Sequence, residues 1–183
     1  MPLLGTIASQ FSSKPFTSFE SIASATASGS TRIMTFSSIP STYTALQVRI
    51  NGFTSSADNW SIRFNGDSGT NYTTQYMGGI NSSTFAGGYT APFDDKGSIN
   101  GLGTAGTGTV YPNVGIVDIH KYASTTENKT ARSFFGADSN GTGAVCNASV
   151  LWLSTSAITS LSIITTNYDI ASSTVVSLYG IAG

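Results

Sequence analysis

The feature that most constrains this chain is alternation. Short runs switch between apolar and small polar side chains with a period of two, and each run stops at Gly, Asn, Asp or Ser after about ten residues. FESIASATA (from Phe19), TRIMTF (Thr31 to Phe36) and YTALQVRINGF (Tyr43 to Phe53) have this character. So do NWSIRFN (from Asn59), YTTQYMGGI (from Tyr72), VGIVDIHKYA (from Val114) and KTARSFFGA (from Lys129). AVCNASVLWL (from Ala144), ITSLSIIT (from Ile158) and TVVSLYGI (from Thr174) complete the set. Roughly eight to ten short strands with no sustained helical period can bury their apolar faces only in two packed sheets. The expectation is an all-β, antiparallel two-sheet β-sandwich, jelly-roll-like, with a short N-terminal arm. Residues 1–17 are read as the arm and 18–183 as a single sandwich domain.

Local patterns refine that picture. Trp60, Ile62 and Phe64 share one face, NGDSGTN supplies turn chemistry, and YTTQYMGGI returns, so residues 59–80 predict a hairpin. Asn81 to Pro112 is rich in Gly, Ser and Thr and reads as a long loop or as two weakly patterned edge strands. In the terminal strand, Val176, Leu178 and Gly180 face one side, and Val175, Ser177, Tyr179 and Ile181 the other. Both sides are mostly apolar, which predicts an interior strand covered on both faces. One cover is the partner sheet. For the other, a neighbouring copy around a threefold axis is expected, with Val176 and Leu178 as interface residues; the alternative is that Asn81 to Pro112 folds over the strand within one chain. The arm adds Leu3, Leu4, Ile7, Phe11 and Phe16, too apolar for a solvated tail, as further interface residues.

Charged residues are only 9% of the 183, against about 25% in an ordinary domain, and the net charge is -1. No basic patch is available to replace nucleic-acid counterions, so no nucleic-acid partner is expected. Little charge repulsion holds copies apart, which suits a protein packed against neighbours. No apolar run approaches the roughly 18 residues of a membrane helix. The opening MPLLGTIASQ lacks the positive region and long apolar core of a signal peptide. No membrane partner is expected, and synthesis in a cytoplasm is.

Candidate chemistry is sparse. His120 is the only histidine; Asp118 shares its face on a strand, but no Ser lies in a nucleophile-elbow setting. Asp94 and Asp95 are adjacent and point apart on an extended backbone. Asn65, Asp67 and Asn71, and separately Asp138 and Asn140, offer oxygen ligands without the acidic pattern of a calcium loop, and turn chemistry accounts for them. Cys146 cannot form an internal disulfide and reads as a small buried hydrophobe. Tyr72, Tyr76, Phe85, Tyr89 and Phe93 are candidates for an aromatic groove that stacks on sugars, or for core packing. The expectation is a protein without catalytic residues, metal or cofactor.

Several stretches, in order, resemble a family of bacteriophage virion proteins: TFSSIPSTYTALQVRI, IRFNGDSGTNYTTQYMGG, VDIHKYASTTENKTAR, LWLSTSAITSLSII and STVVSLYGI. The opening MPLLGTIASQ is similar as well. The resemblance implies a virion location, after assembly in the host cytoplasm, and a structural role with no catalytic site. Within it, a capsid decoration or cement protein is expected, a homo-oligomer (trimer favoured) that binds the major capsid protein or another virion protein. The alternative is a tail-fibre, baseplate or neck domain that binds a host receptor or glycan.

Overall fold

The computed structural model describes residues 19–100, 112–138, 140–141 and 143–182, with the side chains of 89–93 left aside. The interface expectations at Leu3, Leu4, Ile7, Phe11 and Phe16 therefore lie outside the described residues. The strands are β1 (Phe19–Thr26), β2 (Ile33–Phe36), β3 (Ala45–Gly52), β4 (Trp60–Phe64), β5 (Tyr72–Ile80) and β6 (Ser83–Asp94). They continue with β7 (Gly97–Ser98), β8 (Asn113–His120), β9 (Lys129–Asp138), β10 (Gly143–Trp152), β11 (Leu161–Thr165) and β12 (Val175–Ile181).

All pairings are antiparallel, in two sheets ordered β1-β12-β3-β8-β9-β10-β5-β6 and β2-β11-β4-β7. The topology becomes plain when β5, β6, β9 and β10 are set aside. The eight remaining strands, renumbered first to eighth, then run 1-8-3-6 in one sheet and 2-7-4-5 in the other. That is the jelly roll, two Greek keys closed on each other. The hairpins β5–β6 and β9–β10 are additions, and both extend the larger sheet beyond β8.

Alternation explains where the core sits. On β3, Leu46, Val48 and Ile50 point inward and are buried, while Arg49 and Asn51 point out. Trp60, Ile62 and Phe64 of β4 face them across the sandwich, with Leu161 and Ile163 of β11, while Val117, Ile119 and Val150 extend the inner face of the larger sheet. Each such side chain contributes about 1.5–3 kcal/mol by leaving water. β11 is buried at all five positions, as suits a central strand of the smaller sheet.

Three local expectations need correction or sharpening. The hairpin over residues 59–80 does not form: β4 lies in the smaller sheet and β5 in the larger. The turn residues are there, with Asn65 at φ 52° and Gly66 at φ 68°, but they carry the chain across the sandwich. The amide of Phe64 donates to the Tyr72 hydroxyl at 2.9 Å, which pins the crossing. Periodicity reports which face of a strand is apolar. It does not say whether two such faces lie side by side or oppose each other.

Of the segment Asn81 to Pro112, residues 101–111 lie outside the described residues, and the part before them takes the second of its two expected forms. β6 is the edge of the larger sheet and β7 the edge of the smaller. Its pattern is weak because glycines occupy positions that neighbouring side chains fill. A Cβ on Gly87 would meet the Tyr76 ring, and one on Gly97 the Val150 side chain.

β12 is interior, between β1 and β3, as its composition predicts. Val176 and Leu178, however, are fully buried in the chain's own core. They cannot be surface interface residues, and that assignment is corrected. Its other face is covered in part from within the chain: the Arg49 guanidinium lies 4.7 Å from the Tyr179 ring centre and 5.3 Å from that of Phe19, while Val175 at the start of the strand stays 37% exposed.

Candidate interaction surface

The added hairpins give the larger sheet an outer face that the smaller sheet cannot cover. Cross-strand register places its outward residues in rows. One row runs Ile116–Phe134–Asn147–Met77 through β8, β9, β10 and β5. The next runs Val114–Gly136–Val145–Gly79. Met77 is 61% exposed, Val114 54%, Phe134 52%, Val145 47% and Ile116 38%. Five large apolar side chains thus stand together in water, a grouping that marks an interaction surface rather than a scattered exposure.

Charge is confined to the margins. Along β9 the outward positions are Thr130, Arg132, Phe134, Gly136 and Asp138, so the cation and the anion lie at opposite ends with an uncharged middle. The outward positions of β10 and β5 beside them (Val145, Asn147, Ser149, Thr73, Gln75, Met77 and Gly79) carry no charge. Toward β3 the face becomes polar and satisfied. Gln47 Nε2 donates to Asp118 Oδ1 at 2.8 Å, and Arg49 Nε donates to Gln47 Oε1 at 2.8 Å.

The residues singled out for chemistry are engaged elsewhere. Asp118 and His120 do share the outer face, but Asp118 takes the Gln47 amide, and no described hydrogen bond joins it to His120. Asp67 accepts from Trp152 Nε1 at 2.7 Å, Asn71 Nδ2 at 2.9 Å and the Gly69 amide at 2.9 Å. The Trp152 bond leads the causes that hold its carboxyl below the usual value. Asn65 Oδ1 is taken by the amides of Thr159 and Ser160, so Asn65 and Asp67 aim at different partners. Asp138 Oδ1 accepts from the Gly141 amide. Among the described residues, no group of three or more His, Cys, Asp or Glu side chains is gathered as a metal centre would be.

Asp95 pairs with Arg63 and Lys96, and Lys96 also lies 3.8 Å from Asp94. Burial pushes the Cys146 thiol up to about 11, so it stays protonated. Of the aromatics that could line a groove or pack the core, Tyr72 takes the core role. Tyr72 is fully buried and stacks on Trp152 at 6.3 Å, and Tyr76 pairs with Phe85 at 6.0 Å on the added hairpin. The side chains of Tyr89 and Phe93 lie outside the described residues.

Two buried charges that sequence reasoning missed are structural. Asp58 accepts from the amides of Asn167 and Tyr168, both at 2.7 Å, and fixes the loop before β12. Lys129 donates to the carbonyls of Glu127 and Thr155 and ties two loops together. The exposed apolar group was also missed, although it left a signal. VGIVDIH is apolar on both faces, and Phe134–Phe135 are adjacent on a strand, so one ring must point outward.

No protein-family model, curated protein or solved structure matches this chain.

Proposed function

We propose that this chain is a structural protein of a bacteriophage particle, a capsid decoration or cement protein that works by burying surface and performs no chemistry. The observation that carries this reading is the outer face of the larger sheet, where Met77, Val114, Ile116, Phe134 and Val145 stand exposed around an uncharged centre. A face of that kind supports a protein whose task is contact. The ordered sequence resemblance to virion proteins supplies the setting, and the low charge suits close packing in many copies. The major capsid protein is the proposed partner, reached through the apolar arm with Leu3, Leu4, Ile7, Phe11 and Phe16. Each contact is small, but repetition over a shell multiplies it.

The test is to label the protein on purified particles and to repeat the binding with a chain lacking residues 1–17. Many copies spread over the shell, lost on truncation, is the expected result. A few copies at the tail would favour the fibre or baseplate role. Absence from particles would overturn the virion setting, and undiminished shell occupancy by the truncated chain would overturn the role of the arm.

A further inference from the structure

The exposed face has one feature that the single chain does not explain. Gly136 sits at its centre on an extended strand, outside the residues with left-handed backbone. Among the described residues, a Cβ added there would find Val145 Cγ2 at 3.7 Å and the Ala144 carbonyl at 3.9 Å, which is ordinary contact. Neither backbone nor crowding asks for glycine at this position, and a strand interior ordinarily disfavours it. Gly136 and Gly79 line a concavity with Val114 and Val145, one row away from the protruding Phe134 and Met77. Knobs and holes therefore lie side by side on one surface.

We propose that this face pairs with the same face of a second copy, about a two-fold axis that lies in the interface and crosses β9 at the level of Phe135. This rests on reading the face as a contact surface, not on the virion setting. Turning one copy about that axis lays β9 antiparallel on the partner's β9. Each row then meets the neighbouring row of the other copy. Phe134 falls on the partner's Gly136, Met77 on the partner's Gly79, and Ile116 on the partner's Val114.

The same rotation settles the charges. Arg132 and Asp138 lie about 20 Å apart along β9, nearly equidistant from the axis. Arg132 of each copy is thus set over the partner's Asp138, while the uncharged middle meets itself. Arg132 has no ion-pair or hydrogen-bond partner among the described residues. The size also fits. Four strands and four rows span roughly 20 Å in each direction, about 400 Å² of projected area per copy, the size of a weak and reversible pair. A same-face contact closes as a dimer, not as the trimer expected from the sequence.

The experiment is sedimentation equilibrium over a concentration series, on purified protein without particles, with circular dichroism to confirm folding. Wild type is expected to be a dimer. Gly136→Val suits a strand but fills the hole, so it should stay folded while its dissociation constant rises about 30-fold or more. Gly136→Ala serves as the milder variant if valine impairs folding. Arg132→Asp should weaken the pair about tenfold, and the double variant R132D/D138R should restore it. A wild type that stays monomeric overturns the pairing, as does a Gly136→Val or folded Gly136→Ala protein that pairs like wild type. A double swap that recovers nothing overturns this register. Particle binding is measured separately, so failure here and failure of the virion reading are distinguishable.

Discussion

The two halves of the larger sheet's outer face solve the same problem differently. Over β1, β12 and β3, the apolar rings of Phe19 and Tyr179 lie under the Arg49 guanidinium, and Ser24 and Ser177 bond each other at 2.8 Å. Over β8, β9, β10 and β5, Val114, Phe134, Val145 and Met77 have no such cover among the described residues. The first half belongs to the jelly roll and shields part of its own apolar surface, leaving Phe19 44% and Val175 37% exposed at its margin. The second is built largely from added hairpins and leaves its apolar surface bare. A sheet that a fold extends but does not cover becomes a place for contact.

The comparison can be broken at its base first. Val176→Asp or Leu178→Asp puts an unpaired charge in the core beneath the self-covered half, at a cost of at least about 3 kcal/mol. Loss of the cooperative thermal transition is expected for both. Survival of folded protein would show that this core is not what holds the half together. Phe134→Ser on the bare half should act the other way. Monomer stability should change by about 0.5 kcal/mol or less, as at an exposed site, while self-association weakens by about 2 kcal/mol. Chemical denaturation and sedimentation of the same sample separate the two effects.

A smaller change sharpens the contrast. Arg49→Ala uncovers Phe19 and Tyr179, and an exposed cation–ring contact contributes about 0.5–1 kcal/mol. The melting temperature should fall by about 2–4 °C, with new binding of an apolar dye over the first half. An unchanged melting curve would show that the stacking over the rings stabilises nothing.

The smallest expected effect lies outside both halves. The folded-state pKa of Asp67 is lowered, first by the Trp152 hydrogen bond, from its ordinary value of 3.8. Its stabilising contribution is therefore complete above that value and is lost as pH falls through the folded pKa. Asp67→Asn should flatten stability against pH only in that acidic window and shift Trp152 fluorescence. Equal acid slopes for both proteins would mean that the bond does not couple to folding.

Much of the fold was legible. Nine of the ten strands read from the sequence have one face more open to water than the other, which preserves the alternation; β11, buried throughout, shows itself as a short apolar run between turns. β6 and β7 did not show themselves, since Gly87 and Gly97 take places that the Tyr76 ring and the Val150 side chain fill. The crossing at Asn65–Gly66 looked like a hairpin because turn chemistry is the same whether a chain returns to its own sheet or changes sheets. The contact face was legible in kind but not in place. A strand apolar on both sides was the right signal, and it pointed to β12, whose second face Arg49 covers in part from the neighbouring strand. Val114 and Ile116 on β8 carry the same signal, and only the register reveals that no side chain among the described residues shields them.

The bare half can be tested through its own methionine. Met77 is 61% exposed in the single chain, whereas Met34 is 6% exposed in the core and serves as an internal reference. Peroxide oxidation, followed by mass spectrometry across a dilution series, reports the access of each sulfur. If two copies cover this face, Met77 should oxidise slowly at high protein concentration and speed up on dilution, while Met34 stays slow throughout. Fast oxidation of Met77 at every concentration would contradict the account.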